Sequence, residues 1–269
     1  NIKWHLPAIY FSQELSQKEL RYSFIENKKL NELTYKNKDN ILSFSKLNTF
    51  LSCKRKFYFS YLLKIQNKTT IDVLPSISKA GLKIHDILAK LGKKNDLANF
   101  DKEILKAISL DRVYSYYFLS SFLASNKITN LEAKRENDGY NIFAVEQDFD
   151  VEYKGFRLKG RVDRIDIKDN DLYIIDYKYH NSIKPKEVKA HIMQLIFYTQ
   201  AIKILYPNYN VVSAGIYDLK FARLEFLSNY DINILDEEIK TYTKEFEVSK
   251  CESKHFCSYC DYSIICDRY

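Results

Sequence analysis

Apolar residues recur at Leu47, Phe50, Leu51, Tyr58, Tyr61, Leu62 and Ile65, behind Ser43 and Ser45 as candidate N-caps. That spacing predicts a first helix over about 45–65. A second stripe, Ile77, Gly81, Ile84, Leu88 and Leu91, predicts a helix over about 77–92, and residues 101–136 are helical in texture as well. After Gly139 the period changes. Val145–Tyr153, Phe156–Ile167 and Leu172–Tyr179 alternate and are rich in β-branched and aromatic residues, with Lys168-Asp169-Asn170-Asp171 as a hairpin turn between the last two. Lys186–Tyr206 returns to a helical period, Val211–Leu219 and Ala222–Leu227 read as strands, and Ile232–Val248 reads as a helix. A short cysteine-rich tail, 251–269, closes the chain. Residues 1–40 are polar and charged, and read as an extension or linker before a domain over 41–269. Helices, a central sheet, then helices make the fold class α/β.

Composition narrows this picture. Of 269 residues only 6 are Gly and 4 are Pro, where average usage gives about 19 and about 13. So few turn-formers argue against a sandwich or barrel. A hydrophobic share of 46% is ample for a buried core. The best apolar window, Ile192–Tyr206, is broken by Gln194, Gln200 and Lys203, which excludes a membrane span. The opening residues lack the apolar core of a signal peptide, so a cytoplasmic chain is expected. The net charge of +7 is mild evidence for a polyanionic partner.

The hairpin carries the most informative chemistry. Gly160-Arg161-Val162-Asp163-Arg164-Ile165-Asp166 runs into the turn, and Leu172-Tyr173-Ile174-Ile175-Asp176-Tyr177-Lys178 returns. Strand alternation puts Asp176 and Lys178 on one face, opposite Ile175 and Tyr177. Two carboxylates on neighbouring strands make a site for a hard divalent cation. A lysine two residues on can assist the deprotonation of an attacking water or stabilise charge developing on phosphorus. As residues alone, the set reads equally well as a cross-strand ion pair. Arg164 and Asp166 read as an outward salt-bridge pair. His85, four residues after Gly81 on one helix face, reads as a core histidine or a ligand. Gln194 and Tyr198 share a helical face and by themselves carry no function.

Five cysteines in a chain expected to be cytoplasmic point to metal or free thiols before disulfides. Cys257-x2-Cys260-x5-Cys266 lies about 200 residues after Cys53. Four thiolates can hold [4Fe–4S] or a tetrahedral zinc, and one pair with two separated singles favours iron–sulfur over a zinc ribbon. Such a clamp would join the first helix to the tail and staple a long loop. Cys251 is left over, as a free thiol or a stand-in for Cys257.

The order Cys53, Gly81-x3-His85, Gly160-Arg161-Val162-Asp163, Asp176-Tyr177-Lys178, Gln194-x3-Tyr198 and Cys257-x2-Cys260-x5-Cys266 resembles the RecB-like branch of the PD-(D/E)xK nucleases, over about 41–269. It is most similar to the iron–sulfur members, the AddB-type nuclease domains and the small CRISPR-associated exonucleases. The resemblance implies a restriction-endonuclease-like core, a mixed central sheet flanked by helices, with a cysteine-clamped C-terminal tail. It implies Mg²⁺ or Mn²⁺ on His85, Asp163, Asp176 and the Tyr177 carbonyl, with Lys178 as catalytic lysine. Gln194 and Tyr198 would hold the DNA strand or brace the site, and Cys53, Cys257, Cys260 and Cys266 would hold [4Fe–4S]. It further implies exonucleolytic phosphodiester hydrolysis in double-strand-break processing, trimming the 5′-ended strand under a recombination signal. The partners implied are single-stranded or unwound duplex DNA, a helicase domain in the same polypeptide and an AddA-type partner. A stand-alone CRISPR-associated 5′–3′ exonuclease and a catalytically weak DNA-end-binding module are the alternatives. Two positions depart from the pattern: Tyr179 follows the lysine in place of a small Thr or Ser, and Lys54 follows the first cysteine in place of Pro. Lys54, Arg55, Lys56, Lys184, Lys186 and Lys189 are the basic residues expected to track a strand backbone.

Overall fold

A computed structural model describes residues 33–65, 77–110, 115–179, 185–227, 231–251, 257, 260–263 and 265–266. The side chains of 77, 78, 115–118, 120, 121 and 185–187 lie outside the description. So do most of the expected N-terminal extension and Lys184. In chain order the elements are β1 (Thr34–Lys36), β2 (Ile41–Leu42), α1 (Phe44–Ser52), α2 (Lys54–Phe57), a π-helical turn (Tyr58–Leu62), α3 (Ile77–Lys93), a 3₁₀ turn (Leu97–Asn99), α4 (Phe100–Leu110) and α5 (Ser115–Asn137). The chain continues through β3 (Asn141–Tyr153), β4 (Phe156–Lys168), β5 (Asp171–Lys178), α6 (Pro185–Leu205), β6 (Asn210–Asp218), β7 (Arg223–Phe226), α7 (Asn233–Thr243) and β8 (Glu245–Glu247). It divides into two compact units, residues 73–235 and residues 1–72 with 236–269. No helix among the described residues is long and apolar enough to cross a membrane.

The central unit is a mixed sheet with helices on both faces. β3, β4 and β5 pair antiparallel in sequence order, β5 and β6 pair parallel, and β7 pairs antiparallel with β6. The parallel step requires a crossover, which α6 supplies. On one face, Ile175, Tyr177, Tyr217 and Leu219 pack with Ala80, Ile84 and Leu88 of α3, Ile104 of α4 and Ile128 of α5. On the other, α6 buries Phe197, whose ring tilts against Phe149 of β3 at 6.1 Å between centroids. Because α6 is covered on most sides, Met193, Leu195, Ile196, Phe197, Ala201 and Ile202 are all buried, and its sequence lacks a narrow apolar stripe.

The smaller unit pairs β1 with β8 antiparallel, Thr34 opposite Glu247. Ser43 caps α1, its hydroxyl accepting from Lys46 N at 3.2 Å. The helix expected over 45–65 is broken. Cys53 is extended, φ −160° and ψ 111°, closing α1 and capping α2, where its thiol accepts from Lys56 N at 3.4 Å. Phe50, Phe57, Tyr242 and Phe246 pack edge to face with centroids 5.0–6.0 Å apart. The helix expected to reach Val248 stops at Thr243, because Phe246 turns into this cluster from the strand β8.

Candidate functional site

The ladder between β4 and β5 runs from Lys168 and Asp171 to Arg164 and Ile175 and ends there. Asp163 and Asp176 are the next residue on each strand, where the pairing stops. The Tyr177 N–H, released from the ladder on this side, donates to Asp163 Oδ2 at 2.8 Å. Asp176 and Lys178 share a face, as alternation requires, and Lys178 Nζ lies 2.5 Å from Asp176 Oδ2. Lys178 Nζ also donates to Gln194 Oε1 at 3.0 Å, and Gln194 Nε2 donates to Tyr198 Oη at 2.9 Å. The i, i+4 pair on α6 thus continues a chain of contacts that starts at the strand carboxylate. From α3, His85 sets its ring edge to face with Tyr177 at 5.6 Å, and its Nδ1 lies 3.7 Å from Asp163 Oδ2. The fold therefore gathers His85, Asp163, Asp176, Tyr177, Lys178, Gln194 and Tyr198 in the central unit.

Electrostatics favours a cation here. Burial pushes the carboxyls of Asp163 and Asp176 up to about 6, against the pull of the Lys178 ammonium on both and of the Tyr177 N–H on Asp163. Burial lowers the His85 pKa, which favours the neutral imidazole that can act as a ligand. Burial likewise raises the Tyr198 phenol, with Asp176 adding to the effect. Buried Asp176 and half-buried Asp163 facing one ammonium leave negative charge uncompensated, which is the donor set a hard divalent ion fits.

Glu146 is the residue that sequence reasoning missed. The pairs on either side of it, Val145 with Arg164 and Gln147 with Val162, place it across from Asp163. Glu146, Asp163 and Asp176 therefore stand side by side on three adjacent strands. Glu146 adopts φ +50°, a left-handed backbone disfavoured for a residue with a Cβ. Its charge raises the Asp163 pKa, and Arg161 holds its carboxylate at 3.2 Å. The only signal in the sequence is a carboxylate at a half-buried strand position three residues before Phe149.

The expectation for Arg164 and Asp166 is half corrected. They pair at 2.6 and 2.8 Å, but inside the protein, with Asp166 wholly buried. α5 covers them, bringing Arg135 to Asp166 at 2.7 Å and Glu132 to Arg164 at 2.8 Å.

The cysteines gather in the smaller unit. Cys53, Cys251, Cys257, Cys260 and Cys266 all line one cavity of about 190 Å³, with Phe59 and Tyr262 in its wall. Among the described residues its lining holds five sulfurs and no carboxylate or imidazole, a donor set suited to a thiophilic metal or cluster. Burial raises the thiols of Cys260 and Cys266. Among the described residues no three acidic, His or Cys groups are drawn together as a closed metal cage. Protein hydrogen bonds also tie this helical segment to the residues just before the tail. Arg55, wholly buried, donates from Nε to Val248 O at 3.1 Å and from its backbone N to Ser249 O at 3.1 Å.

That burial corrects the role expected for one basic residue. Arg55 is unavailable to a strand backbone. Lys54 lays its ammonium 3.1 Å from the Phe50 ring centre, and burial lowers its pKa to about 8.

The family described as the PD-(D/E)XK nuclease superfamily matches residues 41–267. The chain is 27% identical over 222 residues to a subunit of the ATP-dependent helicase/deoxyribonuclease of Carboxydothermus hydrogenoformans, covering 67% of this chain and 20% of that protein. It thus spans about a fifth of that relative's length. Similar solved structures include the protein SSO0001, with a TM-score of 0.41 and 16% identity over 93% of this chain and 96% of that one. A candidate exonuclease from Eubacterium rectale aligns with a TM-score of 0.46 and 13% identity over 86% and 84%. At these values neither structure bears on function.

Proposed function

The chain belongs to the PD-(D/E)XK nuclease superfamily, and from that premise we propose that it is a divalent-metal-dependent DNA exonuclease. The observation that carries the reading is the carboxylate pair, Asp163 and Asp176, placed where two strands part and joined through the Tyr177 N–H, with Lys178 beside it. Asp163, Asp176, neutral His85 and the Tyr177 carbonyl would hold Mg²⁺ or Mn²⁺. The bound ion would supply the positive charge that polarises the scissile phosphodiester. Lys178, aimed by Asp176 and Gln194, stabilises the negative charge that builds as water attacks phosphorus and the bond to the 3′ oxygen breaks. Gln194 and Tyr198 brace that ammonium and line the approach of the strand. Glu146 adds a third carboxylate to the same row.

The setting we favour is a helicase–nuclease that processes DNA ends in recombinational repair. The name of the Carboxydothermus relative, which couples helicase with deoxyribonuclease and makes it one part of an assembly, supports this over the stand-alone alternative. A helicase region in the same polypeptide, an AddA-type partner and a cytoplasmic setting belong to this proposal. So do a nuclease domain over 41–269 and a [4Fe–4S] cluster on Cys53, Cys257, Cys260 and Cys266. A DNA-end-binding module would have no use for a lysine held between a carboxylate and an amide beside a second carboxylate.

The test is cleavage of end-labelled single-stranded DNA by anaerobically purified protein with Mg²⁺ or Mn²⁺, beside Asp176→Ala. Metal-dependent cutting lost in the variant supports the nuclease, and the label reports polarity. Wild-type protein that binds DNA under these conditions and never cuts it overturns the reading in favour of the binding module.

A further inference from the structure

Cys251 is surplus to the four-cysteine pattern, yet the fold does not leave it aside. Its sulfur lies 3.5 Å from that of Cys257, and both line the cavity that also receives Cys53, Cys260 and Cys266. A disulfide would bring the sulfurs to about 2 Å, whereas 3.5 Å is a van der Waals contact between two separate thiols that line the same cavity. Each cysteine is also delivered by different means. Arg55, two residues after Cys53, donates its backbone N–H to Ser249 O, and Ser249 lies two residues before Cys251. Cys251 is thereby tied to the segment that presents Cys53. Cys257 belongs instead to the terminal turn, where Cys260 N donates to Cys257 O at 3.2 Å. The spacing repeats as well: Cys251-x5-Cys257 and Cys260-x5-Cys266.

We propose that Cys251 is a fifth ligand-competent thiol of the sulfur site, interchangeable with Cys257 as the fourth ligand beside Cys53, Cys260 and Cys266. The inference rests on the reading that these thiols hold a metal. It adds that one ligand position is served twice, from the anchored segment and from the tail. Loss of the Cys257 thiolate by substitution would then leave the site able to hold its metal. All four ligands remain thiolates either way, so the charge and donor softness of the site are conserved.

The experiment compares wild type, Cys251→Ser, Cys257→Ser, the double variant and Cys53→Ser, each purified anaerobically. Iron, acid-labile sulfide and zinc content are measured per chain, with visible absorption near 400 nm and far-ultraviolet circular dichroism as a check of folding. Each of the single variants at 251 and 257 is expected to keep most of the wild-type metal content. The double variant and Cys53→Ser are expected to lose it together. A folded Cys257→Ser variant as empty as the double variant overturns the interchange and leaves the metal reading intact. So does a double variant that keeps its metal. Wild type without iron, sulfide or zinc overturns the metal reading, and the interchange with it.

Discussion

The Tyr177 N–H donates to Asp163 Oδ2 at 2.8 Å, so the strand that carries Asp176 and Lys178 also fixes the carboxylate on the neighbouring strand. A side chain at the end of a ladder usually has rotamer freedom. Here a main-chain donor removes it, and no substitution of Tyr177 short of proline deletes that donor. The spacing of the two carboxylates is therefore a property of the sheet.

Burial of this pair sets a stability cost with a definite pH dependence. Both carboxyls have folded pKa values of about 6, above the 3.8 of the unfolded chain. Between these values the folded state binds more protons, so the contribution of this pair to metal-free stability is highest below about 4 and is lost as pH rises through 6. Asp176→Asn removes one buried charge. Its metal-free melting temperature should exceed that of wild type at pH 7.5 and approach it near pH 4, while cleavage is lost. A variant that melts below wild type at pH 7.5 would contradict the proposed cost.

Divalent metal should reverse the order. Mg²⁺ or Mn²⁺ at a hundred times its dissociation constant stabilises the state it binds by about 2.7 kcal/mol. Thermal unfolding at pH 7.5 should show wild type rising with added metal and Asp163→Asn or Asp176→Asn unmoved. Equal shifts in all three proteins would place the ion elsewhere.

Lys178 and Gln194 should separate chemistry from metal binding. Lys178→Met is expected to lower the cleavage rate constant about 10²- to 10³-fold, the cost of removing one preorganised donor. Mn²⁺ binding followed by electron paramagnetic resonance should persist, because the substitution deletes a cation beside the carboxylates. Gln194→Ala removes only one of the two groups that aim Lys178, and its loss in rate should be smaller. A Lys178 variant that cuts like wild type would remove the lysine from the mechanism.

Two glycines of the sequence motifs should respond in opposite ways to alanine. A Cβ on Gly160 would meet the Phe149 ring at 2.6 Å, and that ring packs on Phe197 and Tyr198. Gly160→Ala should cost about 1–3 kcal/mol by overpacking and loosen Tyr198. A Cβ on Gly81, inside α3, would lie 3.4 Å from Tyr179 Cβ, an ordinary contact, so Gly81→Ala should gain about 0.5–1 kcal/mol from the lower backbone entropy of the unfolded chain. Urea denaturation distinguishes the two, and equal midpoints would refute the contrast.

The buried network behind the site should be costly to open. Asp166 accepts from both Arg164 and Arg135 with no exposure to water. Asp166→Ala leaves two buried guanidiniums without that partner and should cost about 3–5 kcal/mol by urea denaturation. A loss under about 1 kcal/mol would mean that water reaches this network.

The sequence by itself determined the order of strands and helices and which residues share a face. The strand period of 2 fixes which residues share a face, which is why Asp176 and Lys178 could be placed together and the α/β order of elements could be read. The spacing of four puts Gln194 over Tyr198 on any helix. What covers a face is not local, and there only the tertiary structure decided. Arg164 and Asp166 alternate like an outward pair, but α5 closes over them with Glu132 and Arg135. Cys53 reads as mid-helix, yet its backbone is extended and two helices meet there. Glu146 enters the site because its strand lies beside β4, across from Asp163, in a left-handed conformation that no residue pattern announces. Periodicity records a segment's own geometry, whereas burial, charge compensation and the meeting of distant thiols depend on segments far apart in the chain.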